Sequence, residues 1–304
     1  MTVGLSFAPI YAKMESGERR DMLRWSQRVV DLADGDPHMG NFIFGSPLAL
    51  AYTTRGVGRY CLGIPGWQDD LQHGIAMARS SDSLTYAGAV TYAYGTGIPA
   101  GVLRPDDSAM REIEDSLHTA ERSADDFALA HAQVTLAAAL VHRQSAQERH
   151  RGQRLSADVR GVFLRDNHHL SDLPLVDVLS ARERARDGDR DGAIPLMRAT
   201  LDNLVREGRL LAWGVIATGV LVETLLDRAA DGDITEAAAA TERLAAAPTD
   251  EDFVPRDILV LRLRALLARA RGDAAAYADF RDRYRGMART LGFEGHIDLS
   301  DAMP

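Results

Sequence analysis

Apolar, Ala/Leu-rich runs alternate along the chain with short polar turns, and one of these turns recurs. Arg184-Ala185-Arg186-Asp187-Gly188-Asp189 returns 44 residues later as Arg228-Ala229-Ala230-Asp231-Gly232-Asp233. It returns again, one residue shorter, as Arg269-Ala270-Arg271-Gly272-Asp273. Glycine adopts the left-handed conformation that ends a helix without a steric penalty. An aspartate after it accepts hydrogen bonds from the free N–H groups that open the next helix, and its charge suits that end of the helix dipole. Each copy therefore predicts the tight turn of a helical hairpin. Gly188, Gly232 and Gly272 end one helix, and Asp189, Asp233 and Asp273 cap the next. Hairpins at a nearly fixed period predict a solenoid.

The same alternation extends through the chain. Helices are predicted over residues 3–14 and 19–33, 48–62 and 67–80, and 83–94 with a partner starting after Asp107. In that partner Met110, Ile113, Leu117 and Ala120 fall on one helical face. A fourth hairpin runs from Asp125-Asp126, turns near Ser145 and returns over 154–164, with Asn167-His168-His169 and Pro174 as a connector. The remaining hairpins turn at Gly188, Gly232 and Gly272. Turns thus sit near residues 17, 63, 102, 145, 188, 232 and 272, in steps of about 39–46 residues. TPR repeats proper are shorter. The expected fold is all-α, an α-solenoid of about seven TPR-like helical hairpins forming a single domain, 1–304. The nearest approach to a strand signal is Asn41 to Phe44. Val3, Leu5, Phe7, Ile10 and Tyr11 make the first helix apolar for an array end, so it is expected to pack on an upstream helix or domain. Pro9 weakens that helix unless it lies in the first turn.

Composition narrows the function classes. The chain has 304 residues, 46% hydrophobic and 26% charged, with a formal net charge of −9. An acidic balance argues against nucleic-acid or membrane-surface partners, which call for basic patches. Cys61 is the single cysteine, so an internal disulfide and a multi-cysteine metal site are excluded. The start lacks a basic leader, and the uncharged runs are short or broken by Gly and Pro; the expected location is cytoplasmic. The runs from Phe127 to His142 and Leu210 to Val222 read as helices buried on several sides.

Catalytic motifs are not found. The one lysine, Lys13, precedes Met14, whereas a P-loop needs Lys followed by Ser or Thr. Gly95-Thr96-Gly97-Ile98-Pro99-Ala100-Gly101 has the wrong spacing for a dinucleotide loop and reads as a connection between helices. Gly4-Leu5-Ser6-Phe7-Ala8 lacks the last glycine of a hydrolase elbow, leaving Ser6 structural. His131 and His142 lie three turns apart on one helix, about 16 Å, too far to share a metal; His150 could approach His142. Asp69-Asp70, Asp106-Asp107 and Asp125-Asp126 sit near helix starts and read as caps rather than acid–base pairs. No cofactor is expected. Eight of the 19 aromatic residues fall between Phe42 and Tyr94. Tyr52, Tyr60, Trp67, Tyr86, Tyr92 and Tyr94 are candidates for a ligand or partner surface, since these rings bury area and keep a polar handle; the alternative is that they form the core of two hairpins.

Longer strings carry a resemblance. They are Gly45-Ser-Pro-Leu-Ala49, Arg59-Tyr-Cys-Leu-Gly-Ile-Pro-Gly-Trp67-Gln-Asp-Asp-Leu71, the stretch 181–196, Ala212-Trp-Gly-Val215, the stretch 219–228 and Leu291-Gly-Phe-Glu-Gly-His296. Together they resemble the C-terminal helical-repeat region of actinobacterial, chiefly mycobacterial, adenylate/guanylate cyclase–ATPase signalling proteins. That resemblance implies a TPR-like tail beside a class III cyclase domain and a P-loop ATPase domain. The family's catalytic residues lie in those other domains, and none maps onto this chain. The implied role is a non-catalytic regulatory or scaffold region that binds the cyclase/ATPase domains, another protein or a small-molecule effector. The alternative is a free-standing small-molecule sensor using residues 42–94.

Overall fold

The computed structural model describes residues 2–167, 169–249 and 252–304; among these the regular structure is helical, without a strand. The helices are α1 Thr2–Leu5, α2 Phe7–Ser16, α3 Arg19–Ala33, α4 Pro47–Cys61, α5 Trp67–Arg79, α6 Ser83–Val90, α7 Asp107–Ser123, α8 Asp126–Leu140 and α9 Ala146–Asp166. They continue with α10 Leu173–Arg186, α11 Arg190–Arg206, α12 Gly214–Arg228, α13 Asp233–Ala245, α14 Val254–Ala270, α15 Ala274–Leu291 and α16 Glu294–Asp301. A π-helical turn, Thr91–Gly95, extends α6, and a 3-10 turn, Leu170–Asp172, precedes α10.

The chain divides into two compact units, Met1–Pro99 with Leu103–Val159, and Ala100–Val102 with Arg160–Pro304. In the first, consecutive helices from α2 to α8 pack on one another. In the second, each helix from α10 to α16 packs on the next, and α12 also touches both α10 and α14, so the first helices of successive hairpins form a row.

The repeat step is written into the hydrogen bonds. In the second unit Arg228 reaches Asp191, Arg198 reaches Glu236, Arg262 reaches Glu223 and Arg243 reaches Asp202, pairs separated by 37, 38, 39 and 41 positions. In the first, Gly45 N–H donates to Asp82, Ser46 N–H to Thr85 and Thr91 Oγ1 to the His131 carbonyl, across 37, 39 and 40 positions.

The turns follow local rules, with one correction. After α10, Gly188 has φ +106°, its N–H donates to the Ala185 carbonyl, and Asp189 N–H donates to Arg184. After α14, Gly272 and Asp273 bond the Arg269 and Ala268 carbonyls in the same way. Both are Schellman ends, in which glycine carries the positive φ. Asp189 then accepts from Gly192 N–H and Asp273 from Ala276 N–H, as helix caps. The 228–233 turn differs. Ala229, at φ +52°, is the left-handed residue that ends α12; Gly232, at φ +86°, stands directly before α13. Asp233 is the first residue of α13 and does not cap it. Its buried carboxylate accepts from Ala230 N–H and from Arg228 Nε and Nη2. A basic residue and an acid five positions later also bridge three further turns: Lys13–Glu18, Arg143–Glu148 and Arg184–Asp189.

Other expectations shift in detail. α9 starts at Ala146 rather than 154, because Ser145 receives Glu148 N–H and Arg143 holds the Glu148 carboxylate. Pro174 lies in the first turn of α10, where its missing N–H has no intrahelical partner to lose. Pro9 is likewise in the first turn of α2. Asn41 to Phe44 is irregular. α8 and α12 are buried around most of their circumference, as the uncharged runs 127–142 and 210–222 lead one to expect. α16 has no counterpart in the hairpin pattern. Its first turn is tied down by Glu294 and His296 N–H groups donating to the Val102 and Gly101 carbonyls.

Candidate functional site

The six candidate aromatics all belong to the first unit, and each has its own partners. Tyr60 and Trp67 are buried, packed edge to face with centroids 6.0 Å apart, and Tyr60 Oη lies 3.0 Å from Thr96 Oγ1. Burial pushes the Tyr60 phenol above its ordinary value. Tyr86 is also buried; its Oη lies 2.9 Å from Asp115 Oδ2 and 2.5 Å from Glu112 Oε1, while Arg79 pairs with Glu112. Desolvation and those carboxylates raise its phenol strongly. Tyr92 sits in the π-helical turn against Phe7, centroids 5.9 Å apart, and Phe7 in turn meets Phe44. Four of the six are therefore core side chains. Tyr52 and Tyr94 are half-buried. The Tyr52 ring meets His73 edge-on at 4.5 Å and carries the Arg55 guanidinium 4.7 Å from its centroid, a cation–π contact.

Beside Tyr52 lies a group the sequence reading missed. Asp70 was expected near a helix cap; instead it is 4% exposed and grips two arginines of α4. Arg55 Nε and Nη2 donate to its two oxygens at 2.8 and 2.5 Å, and Arg59 Nη1 lies 2.9 Å away. Arg55 Nη1 also reaches Gln27 of α3 at 3.0 Å. Asp106 and Asp125 do cap, each receiving two backbone N–H groups from the helix that follows. A first-turn aspartate looks the same in both cases; the packing of α4 on α5 decides which role it takes.

The second unit holds another charged group. Glu183 on α10, Glu223 on α12 and Arg262 on α14 are 40 and 39 positions apart in sequence, so they occupy one position of successive hairpins. Arg262 Nη1 lies 2.5 Å from Glu223 Oε1. Glu183 Oε1 accepts from Arg186 at 2.6 Å and lies 3.5 Å from Arg182 Nε. Burial opposes ionisation of Glu223, yet Arg262, Arg182 and Arg186 together hold its carboxyl below the usual value. Burial, aided by repulsion from Arg186, brings the Arg182 guanidinium down to about 10. The signal in the sequence was charge recurring at the repeat step, at Glu183, Glu223 and Arg262.

On the same unit Tyr284 Oη lies 2.8 Å from His296 Nδ1, and both residues are buried. Burial brings His296 down to about 3, so it is neutral. His131 and His142 each turn Nδ1 to the carbonyl four residues back, Phe127 and Ala138. His168 lies outside the described residues. His169 stacks on Phe163 at 5.1 Å. Among the described residues no group of three or more His, Cys, Asp or Glu is placed to hold a metal ion, and no helix is long and apolar enough to cross a membrane.

Fold and sites together define a class: an all-helical protein whose consecutive helices pack on one another and are bonded at a repeating step. No family model matches the sequence, and neither a curated protein nor a solved structure matches it.

Proposed function

We propose that the chain is a non-catalytic regulatory or scaffold region, an α-solenoid of TPR-like hairpins that binds a protein partner or effector of a cyclic-nucleotide signalling ATPase–cyclase. The observation that carries the repeat reading is the set of side-chain bonds spanning 37–41 positions in each unit. Such bonds join neighbouring hairpins, and stability built from nearest-neighbour interfaces is the property of a repeat array. The cyclase–ATPase assignment is supported by the long strings that resemble that family's helical tail. In this reading a partner would lie along the array of hairpins, whose first helices α10, α12 and α14 pack side by side.

The test is reconstitution. The purified chain is mixed with a cyclase–ATPase protein of the family it resembles, and complex formation and cyclase rate are measured. A stable complex with a changed rate is the expected result. The chain alone should turn over neither ATP nor GTP, since it lacks a P-loop lysine. No complex and an unchanged rate would sink the reading. So would nucleotide turnover by the chain that a point mutation within it abolishes.

A further inference from the structure

The first unit gathers exposed apolar side chains in one place. Among the described residues four large apolar side chains are more than half exposed: Leu5 at 56%, Phe42 at 59%, Ile43 at 61% and Leu164 at 51%. The first three are neighbours. Gly4 lies against the connector between α3 and α4: a Cβ built on it would stand 2.6 Å from the Phe42 ring and closer still to the Gly40 carbonyl oxygen. Leu5 follows Gly4 in α1, and Ile43 follows Phe42 in the connector. Phe44 turns the other way and meets Phe7 of α2, with centroids 4.8 Å apart. Isolated exposed apolar side chains are ordinary on a protein surface, whereas a contiguous group marks an interaction surface.

The charge around this group is of one sign. Residues 2–12 carry no charged side chain, and between Arg28 and Arg55 the charged side chains are Asp31, Asp34 and Asp36. All three are exposed. Gln27 donates to Asp31 and His38 N–H to Asp36; among the described residues no basic side chain pairs with any of the three. The connector keeps them beside the apolar group. Asp36 N–H donates to the Ala33 carbonyl, Met39 N–H to Asp36, Asn41 N–H to His38 and Phe42 N–H to Gly40, so turn follows turn from Ala33 to Phe42. His38 directs Nδ1 to the Gly45 carbonyl at 3.2 Å, and the side chain that receives Gly45 N–H, Asp82, is a further carboxylate.

We propose that Leu5, Phe42 and Ile43, with the carboxylates of Asp34 and Asp36, form a docking surface for a segment of another protein that sets apolar side chains beside lysine or arginine. Opposite charge steers such a segment in and fixes its orientation, and the apolar group supplies the contact. The same aspartates repel an anionic membrane surface. The surface goes beyond the scaffold reading, whose partner lies along α10, α12 and α14, and it does not depend on the cyclase assignment.

The experiment is a fluorescence-anisotropy titration of a labelled amphipathic Leu/Lys peptide with the full chain, and of a Leu/Glu peptide of the same pattern. Saturable binding of the Leu/Lys peptide alone is expected. Ile43→Ser, at an exposed position, should weaken it about tenfold. Asp34→Asn combined with Asp36→Asn should weaken it about fivefold at low salt and flatten its salt dependence. Asparagine suits both positions: Asp34 has φ +45°, which asparagine tolerates, and an amide oxygen keeps the bond from His38 N–H. Asp227→Asn combined with Asp231→Asn removes the same charge from the second unit and should leave the affinity unchanged. No saturable binding of the Leu/Lys peptide overturns the proposal. So does equal binding of the Leu/Glu peptide, an affinity that Ile43→Ser leaves unchanged, or an equal loss in the second-unit variant. Sedimentation that finds a wild-type dimer and a monomeric Ile43→Ser variant would make the occupant a second copy of the chain and overturn it as well. If the peptide binds as expected and no cyclase complex forms, the surface stands and the signalling role falls.

Discussion

Ala229 carries a conformation that its side chain disfavours. At φ +52° it ends α12, where glycine would fit without the penalty a Cβ meets in the left-handed region. Ala229→Gly should therefore stabilise the chain by about 1 kcal/mol, read as a raised urea midpoint. The reverse holds at Gly188 and Gly232, with φ +106° and +86°. Nothing lies within 4 Å of a Cβ built on either, so alanine there should cost roughly 1 kcal/mol through conformation alone. His296 gives a pH signature. Burial lowers its folded value to about 3, below an unfolded value of about 6.5. The unfolded chain then binds the extra proton between these values. Its contribution to stability is complete above about pH 6.5 and falls as the solution is acidified towards pH 3. Between pH 6.5 and 5 the loss should be about 2 kcal/mol. Urea titrations of wild type and His296→Phe at both pH values check this. An equal slope in the variant would assign the pH dependence to other groups.

At the scale of elements, pairs of helices are held by buried charge as well as apolar contact. Asp70, with its side chain 6% exposed, is the shared acceptor of Arg55 and Arg59 across the α4–α5 seam. Asp70→Asn leaves two guanidinium groups facing a neutral amide, and such breaks cost about 3–5 kcal/mol. The expected readout is faster amide exchange in α4 and α5 together with a lower melting temperature; unchanged exchange there would show the pair contributes little. The first hairpin, α2 with α3, should open more readily than α12. Ile10 is buried and Phe7 packs on Phe44, but Leu5 and Tyr11 remain 56% and 39% exposed. The side chain of Val3 lies outside the described set. Hydrogen exchange of a monomeric sample decides: protection across 3–33 equal to that across 214–228 would show that the hairpin needs no further cover.

For the molecule as a whole, the sequence by itself determined the helices, most turns and the repeating step. These depend on neighbours a few residues apart: Gly188 and Gly272 permit positive φ, Asp106 and Asp125 cap the residues just after them, and α8 after Asp126 and α12 as far as Val222 carry no charge. The five-residue pairing of Arg184 with Asp189 and Arg228 with Asp233 was also within reach of inspection. Tertiary structure alone decided whether Asp70 caps a helix or binds arginines, since Arg55 approaches only when α4 folds against α5. It also sent Tyr60, Trp67, Tyr86 and Tyr92 to the core. An aromatic ring has the same affinity for a core as for a binding surface, and only the position of the other helices distinguishes them. The division into two units and the pairing of Glu223 with Arg262 have the same origin. Capping and backbone preference act over one or two turns. Burial and charge compensation depend on helices some 40 residues apart coming together, which a local pattern of residue types does not specify.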